Sequence, residues 1–163
     1  MKSQSQVSTR QTHGVIVIGG GSAGYAAART ARDAGADVAI VDQGPLGRLC
    51  ILRGCMPTKA ILRSAEVAAL LRRAKEFGFS PVSVQADLSA IVDRKDRLVR
   101  EFADYRTQQL KDPSLTLYRS GAVFRSPHEI TVGDTVLSAG SFILATGSRP
   151  SEVPIPGLSK LDI

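Results

Sequence analysis

Gly14-Val15-Ile16-Val17-Ile18-Gly19-Gly20-Gly21-Ser22-Ala23-Gly24 opens on a β-branched run and closes on a glycine turn. A short apolar run with no polar interruption reads as a strand buried on both faces, the habit of parallel sheets. Ser22 to Ala34 is Ala-rich and helix-prone, with Gly35 as its stop. Asp37-Val38-Ala39-Ile40-Val41-Asp42 is a second strand. Strand, turn, helix and strand within about 30 residues make a βαβ unit, whose crossover is almost always right-handed.

The turn fits G-x-G-x-x-G at Gly19, Gly21 and Gly24, in the context that gives the pattern meaning. The first glycine permits a tight turn, the second lets backbone approach a pyrophosphate, and the third lets helix and strand pack closely. Ser22, Ala23 and Gly24 then begin a helix whose free N–H groups and partial positive charge suit phosphate. Asp42 ends the second strand about 20 residues on, where a carboxylate accepts from a ribose 2′-hydroxyl; Gln43 follows it. An acidic residue there favours a free ribose over a 2′-phosphate.

Further along, Gln43 to Arg48 is a Gly/Pro loop, and Thr58 to Phe77 is helical with Ile61, Leu62, Ala65, Ala68, Ala69 and Leu71 on one face. Asp87 to Leu110 repeats apolar residues at helical spacing and reads as an antiparallel neighbour of that helix. Leu115 to Val136, broken by Gly121, Pro127 and Gly133, reads as a small meander that includes Ala122. Ser141 to Thr146 is a last apolar strand, running into Gly147-Ser148-Arg149-Pro150.

The composition narrows the function. The chain has 163 residues, two Cys, two His, no Trp and a net charge of +6. That length suits one domain, and two cysteines make neither a disulfide scaffold nor, with two widely separated histidines, a zinc site. No metal site is expected. Basic residues are dispersed and aromatics are 5%, so the charge reads as a solvated surface that suits anionic small molecules rather than nucleic acid. No apolar run approaches ~18 residues, so no segment is expected to enter a membrane. Residues 1–13 are polar and read as a flexible N-terminus, with no signal sequence, and a cytoplasmic location is expected.

Cys50-Ile51-Leu52-Arg53-Gly54-Cys55-Met56-Pro57-Thr58-Lys59 holds both cysteines. In a regular helix, residues five apart rise about 7.5 Å, beyond the ~7 Å Cα limit for a disulfide. A bridge therefore needs an irregular turn, which Gly54 allows. Cys55 at a helix start, with Lys59 nearby, would have a stabilised thiolate. The plain alternative is a pair of buried structural cysteines. The neighbouring dinucleotide site favours redox.

Together these residues resemble the N-terminal part of the flavin-dependent pyridine nucleotide–disulfide oxidoreductases, the family that includes dihydrolipoamide dehydrogenase, glutathione reductase and mercuric reductase. The resemblance rests on the Gly19/Gly21/Gly24 turn with Asp42, the C-x-x-x-x-C-x-P-x-K block, and Ala145-Thr146-Gly147-Ser148-Arg149-Pro150. It implies an α/β fold: a partial FAD-binding, Rossmann-like domain over 14–163 with an inserted long helix pair and a small meander. It implies FAD as cofactor, NAD(P)H as electron donor, and a small-molecule dithiol/disulfide or metal-ion substrate. Cys50 would be the interchange thiol, Cys55 the flavin-proximal thiol, and Lys59 a positive charge near the flavin. The same resemblance places Gly19, Gly21, Ser22, Ala23, Gly24, Asp42, Gln43, Arg48, Leu49, Ala122, Ala145, Thr146 and Gly147 against the cofactor.

Two departures qualify it. Gly47-Arg48-Leu49 stands where the family usually has Gly-Gly-Thr, so that Arg48 either crowds the cofactor or pairs with a phosphate. The sequence also ends about a third of the way along the family's length, before its nicotinamide and dimerisation segments. Complete members are homodimers; the expectation for this chain is an incomplete oxidoreductase, with a non-catalytic nucleotide-binding module or an inactive remnant as alternatives. His13 and His128 match no family motif and receive no role.

Overall fold

Among the described residues, Val15–Ile18 lies near the centre of a six-stranded sheet, as its unbroken apolar character requires. The computed structural model describes residues 9–80, 83–149, 151 and 154–157. The strands are β1 (Thr9–Ile18), β2 (Val38–Val41), β3 (Thr116–Tyr118), β4 (Ala122–Ser126), β5 (Glu129–Val132) and β6 (Thr135–Leu144). Their order is β3-β2-β1-β6-β5-β4, with the first four parallel and β5 and β4 antiparallel. The helices are α1 (Ser22–Asp33), α2 (Arg48–Leu52), α3 (Cys55–Arg72) and α4 (Leu88–Leu110). A Rossmann-like α/β domain results, with β1, α1 and β2 forming its expected βαβ unit.

Alternation along β1 and β2 feeds two cores. Val17, Val38 and Ile40 face α1 and pack with Ala28, Leu110 and Leu115. Ile16, Ala39 and Val41 face the other way, onto Ile130, Val132, Leu137 and Ala139 from the meander. Successive residues of a strand point to opposite faces, so both faces of this short pair must be apolar.

Four expectations need correction. Strand β1 starts at Thr9, so residues 9–13 are not a flexible end; residues 1–8 lie outside the described residues. Those five residues pair with Thr135–Ala139, and Arg10 and Thr12 add side-chain bonds to Glu129 (3.1 Å) and Ser138 (2.9 Å). The meander is β4-β5-β6, whereas Thr116–Tyr118 crosses to the far edge beside β2. Its last strand is continuous with the predicted Ser141 strand, because the first half of β6 pairs on both sides.

The third difference lies around the cysteines, where two helices replace one loop and one helix: α2 carries Cys50 and α3 begins at Cys55. A short 3-10 turn, Ala74–Phe77, follows α3. The fourth concerns α3 itself. It packs on α4, and Arg94 donates to the Ala60 carbonyl at 3.0 Å, yet Ala60 is its only buried residue among those described. Ile61, Leu62 and Leu71, read as a packing face, are exposed. Asp87 caps α4 as its residue type favours, accepting from the Ala90 amide at 3.0 Å.

Candidate nucleotide and thiol site

The carboxyl ends of β1, β2 and β6 meet at one edge of the sheet, where the chain leaves β1 toward β2 on one side and β6 lies on the other. In open parallel sheets, ligands bind at such a switch point. The turn after β1 is built tightly: Gly19 adopts φ +111° and its amide donates to Val41 O at 2.8 Å. A Cβ on Gly19 would meet the Ala145 carbonyl oxygen at 2.1 Å, so this glycine is required by its neighbours. A Cβ on Gly21 would meet nothing nearer than Arg48 Cβ at 3.6 Å, which leaves its outer side open. Helix α1 begins at Gly21 without a side-chain cap. Its first N–H groups are thereby left for an anion.

Two cavities adjoin the turn. The larger, about 470 Å³, is lined by Gly21, Ser22 and Ala23, by Arg48, Leu49 and Cys50, by Cys55, and by Ala145, Thr146 and Gly147. The smaller, about 150 Å³, is lined by Gly19, Asp42, Gln43, Gly121 and Ala122. Arg48 and Thr146 border both. Nearly every expected site residue therefore converges. Gly24 and Lys59 do not line either cavity. Gly24 acts in packing, and Lys59 is exposed one turn into α3. Pro45, Leu52, Arg53 and Ser148 also line the larger cavity. Leu52 and Arg53 sit inside the cysteine block and Ser148 inside the last glycine motif, whereas Pro45 carries no sequence signal beyond its place in the Gln43–Arg48 loop.

Both cysteines are free thiols in this structure, where the sequence suggested a bridge. The irregular break between them is as expected. Helix α2 ends at Arg53, Gly54 takes φ −128° and ψ −106°, and Cys55 starts α3. A Cβ on Gly54 would lie 2.9 Å from the Leu49 carbonyl oxygen, so only glycine lets the chain fold back this closely. Cys50 is half-buried and Cys55 exposed. The adjacent Cys55 thiol pushes the Cys50 thiol above its ordinary range, and burial adds to this; the Ser22 hydroxyl and the Cys55 amide oppose it. Cys50 thus lies between Ser22 at the start of α1 and Cys55 at the start of α3.

Asp42 is 1% exposed and fully ligated. Its Oδ2 accepts from the Gly20 amide at 2.5 Å and Arg48 Nε at 2.9 Å. Its Oδ1 accepts from the Gly44 amide at 2.8 Å and Arg48 Nη2 at 2.7 Å. Arg48 reaches it from φ +49°, a left-handed conformation that costs a non-glycine residue about 1–3 kcal/mol. The bidentate pair offsets that strain.

A model of the pyridine nucleotide-disulphide oxidoreductase family matches residues 13–163. The chain belongs to that family. It is 39% identical to a dihydrolipoyl dehydrogenase of Chlamydia muridarum over 142 residues, covering 85% of this chain and 30% of that protein. It is 32% identical to a mercuric reductase of Staphylococcus aureus, covering 91% of this chain and 27% of the relative. Among solved structures, the Cu(II) complex of the HOCl-induced flavoprotein disulfide reductase RclA from Escherichia coli superposes with a TM-score of 0.70 at 25% identity, over 91% of this chain and 31% of that one. The chain thus spans about a third of the length of these family members.

Among the described residues there is no cluster of three or more metal-ligating side chains. No helix described is long and apolar enough to cross a membrane. A second network lies at the other end of the sheet. His13, 8% exposed, donates from Nδ1 to Asp37 at 2.9 Å and places Nε2 3.1 Å from the Tyr118 hydroxyl. Tyr118 in turn donates to Gln11. The set joins β1, the loop before β2, and β3, a structural role that sequence reading missed because its members lie far apart in the chain.

Proposed function

We propose that this chain is the flavin-holding, dithiol-bearing portion of a pyridine nucleotide–disulfide oxidoreductase. The observation that carries this reading is the larger cavity, which brings the uncapped start of α1 and both cysteines around one space of about 470 Å³. The phosphate end fits FAD: the Gly21 side is open, and the first turn of α1 offers backbone donors. Gly21, Ser22 and Ala23 would hold the pyrophosphate, and Ala145 to Gly147 would border the flavin end. Gln43 and Ala122 would border the adenosine end. When bound, FAD supplies hydride acceptance from NAD(P)H and delivery of an electron pair to the cysteines.

The cysteines do the rest. With Cys50 as interchange thiol, its thiolate attacks one sulfur of an external disulfide and expels the other as a thiolate, which takes a proton. Cys55 then attacks the mixed disulfide at Cys50, releasing the second thiol and leaving a Cys50–Cys55 bridge. One electron pair and two protons pass to the substrate. A mercuric ion would instead be taken by the two thiolates. Lys59, a turn further along α3, supplies positive charge on the same helix. Dihydrolipoyl and mercuric relatives at 32–39% identity support a small dithiol/disulfide couple or a soft metal ion as substrate class.

Reconstitution with FAD and reductive titration with dithionite test this reading. The expected result is one flavin per chain and uptake of two electrons beyond those the flavin takes, lost in Cys50→Ser and Cys55→Ser. Flavin binding without the extra pair would leave a nucleotide-binding module.

A further inference from the structure

Arg48 occupies an unexpected position in this site. It is the only non-glycine residue among those described with a positive φ, at +49°. From there its guanidinium takes both oxygens of Asp42 in a fork, at 2.7 and 2.9 Å. The amides of Gly20 and Gly44 take the remaining acceptor positions. A carboxylate offers about four lone-pair sites, and all are filled. Asp42 is therefore formed for a ribose hydroxyl by its place at the end of β2, yet has nothing left to accept one with.

Arg48 also borders both cavities of the site. Arg48 lines the larger cavity with the cysteines and the smaller one with Asp42, Gln43 and Ala122. The loop behind it is pinned, because Arg119 donates to the Gly44 carbonyl at 2.8 Å. The Arg48 side chain itself remains 33% exposed. It can leave without unpacking the core.

We propose that Arg48 is a specificity-determining residue of this site: it competes with the adenosine ribose for Asp42 and so selects against ligands that carry an adenosine half. FAD or an adenine nucleotide must first displace the guanidinium. FMN needs only the phosphate turn and the larger cavity, and meets no such competition. The idea rests on the flavin reading for FMN and FAD, but not for ADP.

Binding constants for ADP, FAD and FMN in wild type, Arg48→Gly and Arg48→Lys test it, read by calorimetry and flavin fluorescence. Glycine suits the positive φ, so Arg48→Gly should fold; Arg48→Lys keeps the charge but loses the fork. Removing a competitor held by charged hydrogen bonds should tighten ADP and FAD about tenfold or more in Arg48→Gly. FMN should change little, and Arg48→Lys should fall between. ADP affinity that is unchanged or weaker in Arg48→Gly would overturn the proposal, as would an equal gain for FMN. Tighter ADP with no flavin bound by any variant would uphold Arg48 and sink the flavin reading. FAD bound alike by wild type and Arg48→Gly would do the reverse.

Discussion

A Cβ on Gly24 would lie 1.7 Å from the carbonyl oxygen of Gly19 and 3.3 Å from Val17 Cγ1. Helix α1 therefore rests directly on the backbone of the turn that precedes it. Gly24→Ala must push α1 away from β1, and a destabilisation of about 3 kcal/mol or more is expected from overpacking against backbone. Gly21→Ala, with open space at that position, should unfold at nearly the wild-type urea concentration while losing flavin. Equal urea midpoints for the two variants would show that the two glycines are not divided between packing and ligand space.

Asp42 collects donors from the turn, the following loop and Arg48. Asp42→Ala would leave the Gly20 and Gly44 amides without that acceptor and Arg48 without its partner. A loss of about 2–4 kcal/mol is expected. The double variant Asp42→Ala/Arg48→Gly should recover part of it, because no charge is stranded. Urea denaturation of the four proteins gives the coupling directly, and strict additivity would mean that the pair is not interacting.

Cys50 is held above the ordinary thiol range chiefly by Cys55. Its folded-state value exceeds the unfolded one, so the protonated thiol favours folding; that contribution is complete below the unfolded value and fades as pH rises through the folded one. Cys55→Ala should shift the pH profile of Cys50 alkylation to lower pH, as measured by timed iodoacetamide labelling. Mild oxidation of wild type should close a bridge. Trypsin cuts after Arg48, Arg53 and Lys59, so the bridge would join peptides Leu49–Arg53 and Gly54–Lys59. Two unlinked peptides after oxidation of folded protein would rule out the redox pair.

Asp112 supplies an acid-sensitive tie. Its carboxylate accepts from the Ser114 hydroxyl at 2.6 Å, the Ser114 amide at 2.9 Å and Arg32 at 2.8 Å. The Ser114 hydroxyl, its amide and then Arg32 hold the carboxyl below the usual aspartate value. That contribution is present above the unfolded value, about pH 4, and is lost as pH falls through the depressed one. Asp112→Asn should flatten the acid limb of the urea midpoint against pH, and Ser114→Ala should do so in part. An acid limb unchanged in Asp112→Asn would assign the loss to other carboxylates.

The local pieces are legible in the residues alone. Four β-branched residues, a glycine turn and an Ala-rich helix specify strand, turn and helix through backbone sterics and propensities that act within a few residues. Asp87 at the start of α4 and Gly54 between the cysteines are legible for the same reason: capping and close backbone approach are local demands. Long-range pairing and packing settled the rest. Thr9–His13 became strand because β6 offered a partner more than a hundred residues away, not because of any periodicity of its own. Thr116–Tyr118 left the meander for the opposite edge because β2 had a free side there. The apolar positions of α3 read as core from spacing alone, but spacing does not say whether another surface arrives to cover them. Whether Arg48 would crowd the site or meet a phosphate was open in the sequence. The fold chose Asp42, because a buried carboxylate at the end of β2 demands full hydrogen bonding and Arg48 was the donor within reach.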